Sequence, residues 1–277
     1  MPVINTNVNA LFAQSALRVN NRNLSTAMEQ LSSGSRINSA KDDAAGIAIG
    51  STMTAQIRGL GQAVRNANDG VSMLQTAEGA MTEQTNMLQR MRELAVQSST
   101  ATNSTVQQGY LDKEFQALAS QIDNIATQTK WNGTTVLQGT GGNATGDTTT
   151  YNITVGSGSA TGVETIGVTI ADMSSLITGN ISTTGGATTA LGAIDTALDK
   201  VNASRAVIGA GINRLTYAAD NLNNVIQNAT ASRSQVMDTD YATATTQLAR
   251  SQIIQQAATA MLAQANQQPQ TVLALLK

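Results

Sequence analysis

The side chains that usually carry nucleophilic or metal chemistry are missing, since none of the 277 residues is a cysteine or a histidine. Thiolate and imidazole metal sites, cysteine nucleophiles and Ser-His-Asp triads each need one of those types. Carboxylate or lysine chemistry is what remains, and it needs groups converging in a cleft. The 18 acidic residues are instead scattered along helical patterns. Asp42 and Asp43, the closest pair, suit a helix start, where negative charge meets the positive end of the helix dipole. Arg90 and Arg92 typify the cationic groupings and are too sparse to follow a phosphate backbone, so nucleic acid is not expected as a partner. The residues predict no catalytic site, no cofactor and no metal.

The elements that would position any site are mainly helical. Apolar residues make up 41% of the chain, but aromatics only 3% and charged residues 12%, against roughly 25% charge in an ordinary domain. Ala, Leu, Ile, Val and Met without large rings suit helices packed side by side. Four stretches carry apolar residues at spacings of four and three, the pattern of coiled-coil-like packing. The first runs through Leu17, Leu24, Met28 and Leu31, and the second from Met53 through Leu60, Val64, Val71, Leu74 and Met81 to Leu88. The third holds Leu111, Phe115, Leu118, Ile122 and Ile125, and the fourth runs from Leu191 through Val201 and Leu215 to Ile226. At 1.5 Å per residue, a second helix over 44–98 would be on the order of 80 Å long. Ser39 with Asp42, and Ser104 with Gln107, have capping-box spacing. Asp238 or Asp240 would cap a final helix from Tyr241 to Ala265 or beyond.

Between about 133 and 189 the composition shifts to Gly, Thr, Ser and Asn. Trp131-Asn132-Gly133-Thr134 predicts a hairpin turn, because Asn-Gly readily takes positive φ. Residues 151–155 and 163–170 read as short strands, and the whole reads as a small β-rich insertion or tip. Deleting residues 139–186 is expected to leave polymerisation largely intact, because the apolar seams lie outside that segment, and Thr149 reads as an exposed position. The Asn-X-Thr triplets at Asn132, Asn143 and Asn152 arise readily in such a segment and assign no glycosylation.

The two ends lack a core of their own. Residues 248–265 read LARSQIIQQAATAMLAQA, apolar or small on several faces, and residues 1–31 place Val3, Ile4, Val8, Leu11 and Phe12 ahead of their heptads. A helix apolar most of the way round must be buried. The two ends are therefore expected to pair with each other and with neighbouring copies. The start has no charged stretch followed by an apolar run, so no ordinary secretory signal is expected. No run of about 18 apolar residues would cross a membrane.

Several of these segments resemble the bacterial flagellins: VINTN at 3–7, LSSGSRINSAKDDAAG at 31–46, RNANDGVSMLQTAEGA at 65–80 and LQRMRELAVQS at 88–98. DTDYA at 238–242 and LAQANQQPQTVLALLK at 262–277 continue the likeness, which covers about the first 138 and last 90 residues. The resemblance implies a mainly α fold, with long antiparallel coiled-coil helices at both ends of the chain and a small β-hairpin-rich insertion in the middle. It implies an inner-tube helix at 1–40 paired with one at 238–277. An outer-tube rod would be built from 41–138 and 190–237, with a variable β insertion at 139–189.

The function implied is a non-enzymatic subunit that polymerises into the extracellular flagellar filament, the propeller for swimming. The alternative within structural proteins is a hook–filament junction protein with similar ends. Leu17, Leu24, Met28, Leu31, Leu248, Ile254, Met261 and Leu262 are the expected polymerisation contacts. The resemblance also implies export by the flagellar type III apparatus with an export chaperone, and meetings with the filament cap and hook-associated junction proteins. Gln89, Arg90, Leu94 and Glu114 match positions at which the host receptor Toll-like receptor 5 recognises flagellins. Read without the resemblance, they flank a heptad. A zinc protease, carried by some flagellin-like proteins, needs histidines that this chain lacks.

Overall fold

The computed structural model describes residues 7–138, 143–145, 148–156 and 164–274, with only the backbone of 143–145 and 268–274. Val3 and Ile4, residue 163 at the start of the strand expected at 163–170, and the last three residues of the C-terminal motif lie outside the described residues. The elements run α1 (Val8–Ser33), α2 (Ala44–Ser99), α3 (Thr105–Gln128), β1 (Lys130–Trp131), β2 (Thr134–Thr135), β3 (Asn143–Thr145), β4 (Thr148–Thr154), β5 (Thr165–Ala171), α4 (Thr184–Met237) and α5 (Tyr241–Ala274). They form two compact units, Met1–Ala55 with Asn228–Lys277, and Gln56–Gln227.

In the first unit α1 and α5 pack together, with local chemistry marking their ends. The Asn7 side chain caps α1 by accepting from Ala10 N–H at 3.1 Å. Gly34, at φ 72°, ends the helix and donates its N–H to Gln30 O at 2.9 Å. That left-handed conformation favours glycine. The turn into α2 corrects the expected Ser39–Asp42 capping box. Asp43 holds the helix start, its Oδ1 accepting from Gly46 N–H at 2.9 Å. Asp42 turns back instead, and its Oδ2 accepts from Ser39 N–H and Ser39 Oγ, both at 3.0 Å. At the other connection Asp240 caps α5, accepting from Ala242 N–H at 2.9 Å and Thr243 Oγ1 at 2.7 Å. The two connections are tied together: Arg36 N–H donates to Met237 O at 2.6 Å and Thr239 N–H to Gly34 O at 3.0 Å. Arg36 Nη2 adds a bond to Val236 O at 2.9 Å.

The second unit is one apolar cluster shared by α2, α3, α4 and the strands. The buried line of α2 is Leu60, Ala63, Ala67, Gly70, Leu74, Ala77, Met81, Gln84, Leu88, Met91 and Ala95, spaced by threes and fours. On α4 it is Ala190, Ile194, Ala197, Val201, Ser204, Ile208 and Leu215. Arg205 reaching Glu78 at 3.9 Å and Arg92 reaching Asp195 at 3.3 Å show these two helices antiparallel within the unit. α3 opens with the expected Ser104–Gln107 capping box. The hairpin forms as read, with Asn132 at φ 48° and Gly133 at φ 82° between β1 and β2.

The strands do not form a free tip. β3, β4 and β5 make an antiparallel sheet with Tyr151 opposite Val168 and Thr149 opposite Ile170. Alternation buries Ile166, Val168 and Ile170 on one face. That face seats on two glycines. A Cβ at Gly70 would lie 2.6 Å from Ile153 Cδ1, and one at Gly211 would lie 2.8 Å from Val168 Cγ2. The return to α4 is pinned as well, with Ser175 N–H donating to Asp123 Oδ1 and Ile181 N–H to Asp112 Oδ1, both at 2.7 Å. Met173 and Ile181 are fully buried. Thr149, expected to be exposed, is 2% exposed, because the strand starts three residues earlier than read and turns that side chain inward. The Tyr151 hydroxyl donates to Thr135 O at 2.8 Å, and burial pushes its phenol above the ordinary value.

Two outcomes are expected. Deleting residues 139–186 removes Val168, Ile170, Met173 and Ile181 from the core, so the remaining chain should lose the cooperative melting of its second unit. Far-ultraviolet circular dichroism against temperature checks this, and a deletion melting like the full chain would show the strands to be passive. Acid should loosen the connections of the first unit. Hydrogen bonds from the Ser39 hydroxyl hold Asp42, and from the Thr243 hydroxyl hold Asp240, below the ordinary 3.8. Their contribution is therefore full above 3.8 and lost as pH falls through the lower folded values. At neutral pH an Asp42→Asn, Asp240→Asn double variant should be cleaved faster than wild type within the two connections. In acid below the folded values the two should converge, read with an acid-active protease.

Candidate self-association surfaces

The α1–α5 pair is built on one seam. Leu17, Leu24 and Leu31 are half-buried on α1, with Asn20 and Ala27 fully buried between them. On α5 the matching line is Ala244, Leu248, Ser251, Gln255, Ala258 and Leu262. Large and small residues thus alternate at spacings of three and four on both helices, and knobs from one enter gaps on the other. Hydrogen bonds fix the antiparallel register. Asn20 Nδ2 donates to Ser251 O at 2.8 Å, and Asn7 Nδ2 to Ala265 O at 2.7 Å. Gln255 Nε2 donates to Asn21 Oδ1 at 3.2 Å. A buried amide in an otherwise apolar seam is unsatisfied in any slipped pairing, so it specifies the register.

The eight residues expected to meet neighbouring copies divide into two groups. Leu17, Leu24, Leu31, Leu248 and Leu262 are half-buried in this seam within the single chain. Met28, Ile254 and Met261 face outward. Within the single chain, the first helix this heptad line meets is the other end of the same chain. A different face stays open. Phe12 is 71% exposed, Met261 65% and Ile254 40%, and they line one apolar groove with Ala13, Ala16 and Ala257. Leu11 and Ile253 are exposed beside them. Asn20, Asn7 and Ser251 were not anticipated as seam residues. For Asn20 and Ser251 the signal in the sequence is their placement three or four residues from Leu17, Leu24 and Leu248; Asn7 has none at that spacing.

A second surface lies on α2 and α3. Arg90 Nε and Nη2 both donate to Glu114 Oε1, at 3.1 and 2.9 Å, and Nη1 donates to Glu93 Oε2 at 2.9 Å. Glu93 first, then Glu114, raise the guanidinium above its ordinary value. All three side chains are about half exposed or more, so the ridge orients charge without contributing much stability. Gln89 is exposed beside it. Leu94 departs from the expected recognition surface: at 1% exposure it belongs to the core. It lies next to Ala95 on the buried side of α2, one helical turn beyond Arg90, whose longer side chain reaches out to Glu114.

Among the described residues no three acidic side chains gather where a cation could be held, and no helix is long and apolar enough to cross a membrane.

The comparisons with known proteins agree along nearly the whole chain. The pattern of the bacterial flagellin N-terminal helical region matches residues 4–141, and that of the C-terminal helical region matches 191–276. A flagellin of Halalkalibacterium halodurans is 44% identical over 99% of this chain and 100% of its own length. Flagellin A of Vibrio cholerae is 35% identical over 375 aligned positions, covering 99% of each chain. That alignment is longer than the 277 residues of this chain, so the Vibrio protein carries extra sequence. A solved structure from Vibrio parahaemolyticus, provisionally named as a flagellar hook-associated protein, aligns at TM-score 0.57 over 71% of this chain and all of that one. At 13% identity that likeness speaks to the fold alone. The chain belongs to the bacterial flagellin family.

Proposed function

We propose that this chain is a structural subunit that polymerises into the bacterial flagellar filament, used as a propeller for swimming, through the outer face of its α1–α5 pair. Family membership supports the filament. The observation that carries the contact is the apolar groove with Phe12, Ile254 and Met261 left open on a pair whose own seam is already filled. Exposed apolar clusters rimmed by polar residues mark interaction sites. A heterologous contact, one patch of each copy meeting a different patch of the next, builds a helical array when it repeats head to tail. In this reading 1–40 and 238–277 form the inner layer, 41–138 and 190–237 the outer rod, and 139–189 the surface. The chain carries no catalytic activity of its own. It leaves the cell through the flagellar type III apparatus, helped by an export chaperone, and is placed between hook-associated junction proteins and the cap.

The Arg90–Glu114 ridge with Gln89 would present the surface met by the host's Toll-like receptor 5. Leu94 would act there only by holding α2 in place.

Two experiments test this reading. Ile254→Asp puts a carboxylate on the open face, where burial against a neighbour without a partner is strongly unfavourable. Its pelletable fraction at matched concentration should fall roughly tenfold or more, since every subunit repeats the fault. Thr165→Asp, on an exposed strand residue, should pellet like wild type. Equal pelleting by all three proteins would remove the α1–α5 face from the assembly. For the receptor, Arg90→Ala should weaken activation on the order of tenfold with unchanged melting, as loss of an arginine anchor does. Leu94→Ala should lower the melting temperature instead. A reporter-cell titration alongside a thermal melt separates them, and unchanged activation by Arg90→Ala would exclude the ridge.

A further inference from the structure

Methionine is the most readily oxidised side chain in a protein that has ten of them and no cysteine. Their surroundings differ sharply. Met81, Met91 and Met173 are fully buried in the second unit, whereas Met28 and Met261 are 55% and 65% exposed in the first. Met53, Met73, Met87 and Met237 are partly buried. Among the described residues Met28 and Met261 are the exposed thioethers, and of these Met261 lines the apolar groove, with Phe12 on the opposite helix and Ile254 and Ala257 on its own. No thiol in the chain can intercept an oxidant first.

We propose that Met261 is an oxidation site through which peroxide-class oxidants block self-assembly of the free subunit, and that assembly shields it. The inference rests on the self-association face proposed above. A lone pair on the Met261 sulfur attacks one oxygen of hydrogen peroxide. The S–O bond forms as the O–O bond breaks, and the departing hydroxide takes up the remaining proton and leaves as water. Sulfur gives up two electrons and the peroxide accepts them. The product replaces a flexible apolar tip by a polar, chiral sulfoxide. In solvent that change is harmless to the α1–α5 pair, because the Met261 side chain faces away from the seam. Of the side chains lining the groove, Phe12, Ala13, Ala16, Ile254 and Ala257 offer no donor and Asn9 and Gln264 offer amide N–H, so against a neighbouring subunit a buried sulfoxide that neither amide reaches is unfavourable. The reaction is selective by state: the monomer offers the sulfur and the polymer covers it. It is also reversible, since methionine sulfoxide reductases return the thioether.

The test uses the full chain with dilute hydrogen peroxide, at a dose that leaves Met81, Met91 and Met173 unoxidised by peptide mass mapping. Wild-type monomer should gain one oxygen at Met261, and its pelletable fraction should fall roughly tenfold, as expected for an unpartnered acceptor in a repeated contact. Reductase treatment should restore it. Met261→Leu, close in volume and apolar, should show the same pelletable fraction with peroxide as without it, whatever its untreated level. Met28→Leu should remain as sensitive as wild type. Preassembled filaments should show little oxidation at Met261. Assembly by wild type oxidised at Met261, equal loss of assembly by peroxide-treated Met261→Leu, or full oxidation of Met261 in intact filaments would each overturn the proposal. Untreated Ile254→Asp separates the two readings. If it fails to assemble while Met261 oxidation is harmless, only the redox proposal falls. If it assembles like wild type, the face itself is wrong.

Discussion

With so few aromatic rings and so little charge, the helices of this chain must bury apolar surface through aliphatic seams, and everything else in the structure follows from how those seams are filled. In the second unit Leu60, Leu74, Met81 and Leu88 alternate along α2 with Ala63, Ala77 and Gln84, and Ile194, Val201 and Ile208 alternate along α4 with Ala197 and Ser204. A large side chain on one helix needs a small one opposite it. The heptad with one large and one small position per repeat meets that need without rings. Gly70 and Gly211 carry the rule to its limit, because the sheet's Ile153 and Val168 enter where even a methyl group would collide.

The same rule applied at the chain ends gives a different balance. The α1–α5 seam alternates Leu17, Leu24 and Leu31 with Asn20 and Ala27, yet its leucines are only half-buried. Two helices without a third layer cannot enclose their apolar residues, and burying one such side chain fully is worth about 1.5–3 kcal/mol. Phe12, Ile254 and Met261 therefore hold unrealised free energy in the isolated subunit. Association can release it, and because each copy repeats the same face, a modest gain per contact accumulates along an array. Asn20 donating to Ser251 O sets the register of the pair before any neighbour arrives.

The connections between helices work by a third kind of interaction. Asp42, Asp43 and Asp240 accept from backbone N–H and hydroxyl groups at the turns, while Arg36 joins the two connections through backbone carbonyls. These bonds are exposed and individually small. Their value is geometric, since they fix where α2 and α5 start and hold the two connections together.

Much of this was written in the sequence alone. The four helices with apolar spacings of three and four, the Ser104–Gln107 cap, the Asn132–Gly133 turn and the pairing of the two ends are local or periodic signals, carried by the residues that form them. The family likeness likewise sits in contiguous motifs. Tertiary structure decided the rest. Gly70, Gln84 and Ser204 give no apolar signal, and they become seam positions only when side chains arrive from other elements. The 139–189 segment reads as an insertion because Gly and Thr dominate it, whereas Val168, Ile170, Met173 and Ile181 are core once α2 and α4 supply the other wall. Leu94 and Arg90 lie four residues apart in one motif, and the rotation of α2 against α3 and α4 sends one inward and leaves the other in solvent. Periodicity tells a helix which residues must be covered, but the covering partner is a matter of three-dimensional proximity. That is why Leu17 and Leu262 found partners inside the chain while Phe12, Ile254 and Met261 did not.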